Sequence, residues 1–303
     1  MNPSYLKLLQ SGELAKRVGL AYQALRSCKL CPHKCKVNRL KNELGLCRTG
    51  KICKVASANL HHGEEPPISG SQGSGTIFFS FCNLRCIFCQ NYPISQMGNG
   101  EPANPARLAL LMLNLQKRGS HNINLVTPSH VTAQFLAGLL IAAQKGLKIP
   151  IVYNSSGYEG LEALRLLNGL VDIYMPDIKY FDDKIAQKYS GATNYYKHVC
   201  LALKEMYKQV GPLEVDENGL GKKGLLIRHL VLPGGLASSE KLFEFVAKEL
   251  STKVPVNLMS QYFPAYKASQ DSIINRRIFA QEFEKAEKAL LKWGLTEGWS
   301  QPL

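Results

Sequence analysis

Seven of the nine cysteines fall into two groups whose spacing could do metal chemistry. Cys82, Cys86 and Cys89 form C-x3-C-x2-C, with the aromatic Phe88 directly before the last thiol. Cys28, Cys31, Cys35 and Cys47 form C-x2-C-x3-C-x11-C. Thiolates bind both zinc and iron–sulfur clusters, but a structural zinc wants four ligands and a catalytic one usually mixes in His or carboxylate. Three thiolates around a four-iron cluster leave one iron without a protein ligand, open to a cofactor or substrate. The trio therefore reads as an open iron–sulfur site. The array of four reads as a closed site for an auxiliary iron–sulfur cluster or zinc, and the spacing does not choose between them. Cys53 is an alternative to Cys47, His33 reads as a polar loop residue, and Cys200, at helical spacing with Leu203 and Tyr207, reads as a core thiol.

Charge gathers where the array lies. The 303-residue chain has a formal net charge of +14, and residues 1–54 hold 12 of its 37 Lys and Arg against only Glu13 and Glu43. Lys and Arg beside thiolates stabilise the negative charge of a metal–thiolate site. A nucleic-acid or acidic-protein face and a merely solvated surface are the competing readings. With 45% hydrophobic and 20% charged residues the composition is that of a globular protein. The Leu136–Ala143 apolar run is far short of a membrane span. The N-terminal stretch shows no secretory pattern, so a cytoplasmic protein with reduced thiols is expected, without a disulfide framework.

The elements that must position these residues follow from periodicity. Leu14, Val18, Tyr22 and Leu25 predict a helix over 13–26. Apolar runs at Thr76–Phe81, Ile123–Thr127, Ile149–Tyr153, Val171–Met175, Leu225–Leu232 and Val254–Met259 alternate with helical patterns near 105–118, 131–145, 158–168, 182–209 and 239–249. Another helical pattern covers 280–293. Such alternation predicts an α/β fold, an open partial (βα)6 TIM-like barrel behind an N-terminal Cys-rich metal module. The expected division is 1–58 for the module, 59–265 for the barrel and 266–303 for a helical extension packed on it. Ligands in such barrels sit at the C-terminal strand ends. Each apolar run does end in distinctive residues: FCNLRCIFCQN, TPSH, NSSGYE, PDIK, PGG and SQYFP. The HHGEEPPISG stretch, with Glu64 and Glu65, reads as a Pro-stiffened surface connector rather than a site wall.

At the C-x3-C-x-aromatic-C motif on the loop after the first strand, the sequence resembles the radical S-adenosylmethionine (SAM) superfamily. The stretches HHGEEPPISGSQGSGTIFFSFCNLRCIFCQNYPIS, NLVTPSH, MPDIKYFDDKIAQKYSGATNYY, RHLVLPGG and LMSQYFPAYKA resemble one branch of it, the activating enzymes of glycyl radical enzymes such as pyruvate formate-lyase. Together they cover most of residues 28–270. The resemblance implies a 4Fe-4S cluster on Cys82, Cys86 and Cys89, with SAM on its open iron. It also implies SAM or monovalent-cation contacts from Asn154, Ser155, Met175 and Asp177, and a Lys179 contact to the SAM carboxylate. Phe88, Arg228 and Gln261 are further SAM-contact candidates of the same origin, a barrel-lining structural role being the alternative for Arg228 and Gln261. Thr127 and Ser129 stand where many relatives carry Gly-Gly-Glu, and Ser129 alternatively caps the next helix. Asn154 stands where Asp is usual. The Cys module precedes the motif instead of following it, and GSGTIFFSF replaces the Trp-Gly-Arg lead-in of the activases.

The expected activity is reductive cleavage of SAM followed by hydrogen abstraction, with an electron donor of flavodoxin or ferredoxin type. The leading substrate is a glycine Cα in a partner enzyme. RNA, another protein or a small metabolite is the alternative substrate, and a zinc-stabilised nucleic-acid-binding protein is the non-enzymatic alternative.

Overall fold

The computed structural model describes residues 3–301. Six parallel strand positions run in chain order: Ser74–Phe79, Ile123–Val126, Ile151–Ser155, Ile173–Pro176, a kinked pair Gly221–Leu225 and Ile227–Leu230, and Val256–Met259. The kink divides the fifth position. Gly221–Leu225 pairs with the fourth strand and Ile227–Leu230 with the last, while an Asp177–Arg228 bridge spans the step between the two sheets. The ends do not meet. Antiparallel Cys53–His61 pairs along the free edge of the first strand and short Trp299–Ser300 along that of the last. Cys53–His61, which runs across residue 58, was not among the expected strands.

The α/β architecture is the one the alternation predicts, and most helices lie where the periodicity places them. Pro105–Lys117, Thr132–Gln144, Leu161–Leu167, Ser239–Glu249 and Ala280–Lys292 follow their strands, and Glu13–Ala24 precedes the first cysteine. One expectation fails: 182–209 is two helices, Asp183–Ser190 and Tyr195–Val210. Asp182 caps the first through its side chain, and left-handed Gly191 and Asn194 break the chain between them. That break has a use, because the end of Asp183–Ser190 holds the cysteine loop.

Alternation with period two sorts the strand residues between two cores. Tyr153, Tyr174, Ile123 and Leu125 pack outward under the helices, in the main core. Val152, Ile173, Met175 and Leu226 turn inward with Ile68 as a small apolar floor inside the barrel. Above that floor, toward the C-terminal strand ends, the inward positions become Asn154, Asp177 and Arg228. Thr132–Gln144 is buried on nearly every side because Glu13–Ala24 packs over its outer face, which explains its continuous apolar run.

Candidate active site

The C-x3-C-x2-C loop leaves the first strand through Phe81, whose φ of 68° turns the chain sharply. Backbone bonds staple it to the end of the Asp183–Ser190 helix, Arg85 N to Ser190 O at 2.9 Å and Ile87 N to Tyr189 O at 2.9 Å. Lys267 N donates to Ile87 O at 2.8 Å from the other side. Each sulfur has a polar neighbour. Leu84 N donates to Cys82 Sγ at 3.3 Å, Ser190 Oγ to Cys86 Sγ at 2.9 Å, and Ser95 Oγ lies 3.0 Å from Cys89 Sγ. Burial pushes the Cys82 thiol up and the Cys86 thiol up to about 11, the latter opposed by Lys179. Iron binding would release those protons. Phe88 is buried edge-on against Tyr180 and Tyr262.

These residues open onto a cavity of about 430 Å³, which Cys86, Phe88 and Cys89 line on one side and Asn154, Asp177, Lys179, Arg228 and Gln261 on the other. Its charged wall is a network. Arg228 Nε donates to Asp177 Oδ1 at 2.5 Å, Nη2 to Asn154 Oδ1 at 2.8 Å and Nη1 to Glu64 Oε2 at 3.1 Å, while Lys179 Nζ donates to Asp177 Oδ2 at 3.2 Å. Burial opposes ionisation of Asp177, yet Arg228 and Lys179 hold its carboxyl below the usual range. Burial, reinforced by Glu65 and Asp177 and countered by Arg228, pushes Glu64 up to about 7. Burial disfavours the Lys179 ammonium, but Asp177 and Cys86 outweigh it and raise its pKa.

Glu64 and Glu65 correct the sequence reading. They are not on a surface connector. Pro66 starts the short helix Pro66–Ser69, Ser69 Oγ donates back to Glu64 O at 3.1 Å, and the turn carries both carboxylates into the barrel. Glu65 is buried, accepting from Asn257 Nδ2 at 2.7 Å. The paired carboxylates before Pro-Pro were visible in the sequence, but not the direction they face.

Other predicted residues divide by strand face. Asn154 faces the cavity, whereas Ser155 turns outward, where its Oγ accepts from Gly157 N at 3.2 Å. Met175 is in the apolar floor. Gln261 lines the cavity, and its carbonyl accepts from Gln90 Nε2 at 3.0 Å. Thr127 is left-handed, with φ 59°, and its N donates to Asn154 O at 2.8 Å. Ser129 is not a helix cap: the next helix starts at Thr132 after Val131, and Ser129 Oγ donates to the buried carboxylate of Glu159. Tyr153 Oη reaches the same carboxylate at 3.2 Å, and burial pushes Glu159 up to about 7. Glu159 was missed because no cation or metal spacing surrounds it in sequence. Cys200 is half-buried, packed against the main core while also lining a surface cleft.

The array lies against the same end of the barrel. Cys28, Cys31, Cys35 and Cys47 line one small cavity with Arg39, Ser129 and His130, while Cys53 lies outside it, donating to Ala103 O at 3.1 Å. His33 Nε2 donates to Asn83 O at 2.8 Å and its ring stands edge-on to Tyr158. Arg85 donates to Leu46 O. Gly160 lets the two regions touch, since a Cβ there would stand 2.5 Å from Leu30 O. As the side chains stand, no three or more His, Cys, Asp or Glu among the described residues already converge on a single metal ion, so at either thiol set the sulfurs would have to draw together on binding. No helix among the described residues is long and apolar enough to cross a membrane.

The uncharacterised protein MJ0674 of Methanocaldococcus jannaschii is 34% identical over 298 residues, covering 96% of this chain and 82% of that protein. The crystal structure of Streptococcus suis SuiB is similar at 13% identity and TM-score 0.48, over 73% of this chain and 47% of that one. The structure of TYW1 with a lysine-pyruvate adduct bound is similar at 13% identity and TM-score 0.42, over 72% of this chain and 73% of that one. The chain thus spans about half the length of SuiB. The family model of the radical SAM superfamily matches residues 76–213, which hold the cysteine loop and most of the first four barrel strands. Residues 76–213 thus match the radical SAM superfamily, whose enzymes use a 4Fe-4S cluster and SAM.

Proposed function

We propose that this chain cleaves SAM at the Cys82–Cys86–Cys89 loop and takes a hydrogen atom from the α-carbon of a glycine in a partner protein, as an activating enzyme of the oxidoreductase class. The carrying observation is that one cavity joins Cys86 and Cys89 to Lys179, Asp177 and Arg228. The residues fit the cofactors: three sulfurs on one loop have polar neighbours, and a part-buried ammonium lines the same cavity. Cys82, Cys86 and Cys89 would hold the cluster, and Lys179 would meet the SAM carboxylate. When bound, the cluster, reduced by the electron donor, would pass one electron to the SAM sulfonium, breaking its S–C5′ bond to leave methionine and a 5′-deoxyadenosyl radical, chemistry that belongs to the cofactors.

The chain's part is to hold charge and exclude water. Asp177 orients Lys179 and Arg228 at once, so neither cation loses its partner when a carboxylate arrives. Asn154 and Asp177, which the resemblance marks for a monovalent cation, already accept from the Arg228 guanidinium. Phe88, Leu230 and Met259 give the cavity apolar patches that shield a reactive carbon. At about 430 Å³ the cavity is near the low end for small-molecule sites. A bound SAM would therefore leave little room inside, so a substrate would meet it at the rim, as a glycine on a peptide loop can. A one-electron donor of flavodoxin or ferredoxin type completes the proposal.

The test is electron paramagnetic resonance of a glycyl-radical-type partner after incubation with the reduced, iron-loaded chain and SAM. A glycine radical keeps one α-hydrogen, so a doublet on the partner is expected. 5′-Deoxyadenosine without any partner radical would remove the glycine target while leaving the SAM chemistry.

A further inference from the structure

We propose that His130, at the end of the second barrel strand, is a metal donor completing the N-terminal cysteine site, with Arg39 as its counter-cation. The proposal does not rest on the SAM reading. Both residues line the cavity that the four array thiols surround.

His130 is 1% exposed, and its Nε2 lies 2.8 Å from Ser80 O. A carbonyl only accepts, so Nε2 carries the hydrogen, and in the neutral ring Nδ1 holds a lone pair. That Nδ1 is buried with no hydrogen-bond partner. A histidine donating one ring N–H to a backbone carbonyl while the other nitrogen stays free is the usual arrangement of a metal-ligating imidazole.

Arg39 makes the second, independent observation. It is also 1% exposed, donates to Gly50 O at 3.3 Å and to Cys28 Sγ at 3.7 Å, and its Nε has no partner. A buried guanidinium facing neutral thiols is costly, because buried charges are normally paired. With His130 as the fourth donor, three of the four array thiolates and one imidazole around a zinc ion, or around an iron–sulfur core of charge 2+, carry one net negative charge that Arg39 cancels, the remaining thiol staying protonated and unligated. Four thiolates leave one negative charge over. The thiols lose their protons to solvent on binding, and the side chains have to draw together across the cavity between them. Gly45 brings backbone against the array, a Cβ there standing 2.9 Å from Cys35 Sγ. Ligation by His130 would tie the module to the barrel strand whose end it covers.

The experiment uses the full chain with Cys82, Cys86 and Cys89 all changed to Ala, so that bound metal belongs to the array. Zinc, iron and acid-labile sulfide are counted, and X-ray absorption is recorded at the edge of the metal found. One zinc, or one cluster of iron and sulfide, per chain with a nitrogen scatterer beside the sulfurs is expected, and the element identifies the centre. His130→Gln in this background, with folding checked by circular dichroism, should lose at least tenfold in metal affinity against a chelator. An all-sulfur shell in the parent overturns the His130 assignment even if the Gln variant fails to fold. Absence of stoichiometric metal overturns the centre itself.

Discussion

The two cysteine sets use one residue type in two mechanical ways. The barrel trio stands on a loop whose path is set by a strand end, by backbone bonds to the Ser190 helix end and by hydrogen bonds to the sulfurs. The array stands on a segment with little regular structure beyond the 3-10 turn Arg39–Lys41. Turn bonds such as Cys28 N to Val37 O at 3.0 Å, and contacts to the barrel loops, hold it. The trio is thus positioned by the fold, whereas the array relies on docking and, on the inference above, on a metal. The contrast teaches that a loose segment can be specified by where it lands. Gly160 and the Asn83 carbonyl are as much part of the array as its own turns.

One expected effect tests the barrel side. Asp177→Ala removes the partner shared by Lys179 and Arg228 and should weaken SAM binding at least tenfold, about 1.4 kcal/mol, without loss of cluster iron. Unchanged affinity by equilibrium dialysis would break the link between the charged wall and SAM. On the array side, Gly160→Val drives a side chain into the Leu30 carbonyl and should cost roughly 1–3 kcal/mol of stability. Limited proteolysis should then cut within residues 28–53 before the barrel. Simultaneous loss of both regions would show that they are one cooperative unit.

Glu159 gives a smaller, pH-dependent effect where the two regions meet. Its folded pKa is raised from 4.5 to about 7, so the folded state holds a proton that the unfolded chain has lost. Stability therefore falls as pH rises through that window. Glu159→Gln should flatten the fall, a change on the order of 1 kcal/mol set against the Ser129 and Tyr153 hydrogen bonds. Denaturant midpoints at pH 5 and pH 8 that shift equally in both proteins would contradict this. Smallest of all, replacing potassium by tetramethylammonium should leave SAM affinity within about twofold, since Arg228 already supplies the charge at Asn154 and Asp177. A large drop would mean that an inorganic cation displaces it.

Much of the barrel was legible because its signals are local. The apolar runs mark the strands, and their ends mark Asp177, Lys179 and the cysteine loop. What was not legible depends on facing. Asn154 and Ser155 are neighbours in sequence, yet the pleat sends one to the cavity and the other toward Glu159. Glu64 and Glu65 follow an unexpected strand and turn inward on a Pro-started helix, which composition alone reads as surface. Cys53–His61 was hidden because its small and polar residues alternate weakly. Ser129 looks like a cap until its partner, thirty residues on, is known.

The most direct measurement is 5′-deoxyadenosine formation by the anaerobically iron-loaded, reduced full chain given SAM, compared with its Cys86→Ala variant. The account expects the nucleoside from the parent and a loss of at least a thousandfold in the variant, about 4 kcal/mol of transition-state stabilisation. Equal yields from both, or none from a fully iron-loaded parent that binds SAM and is supplied with its partner, would contradict it.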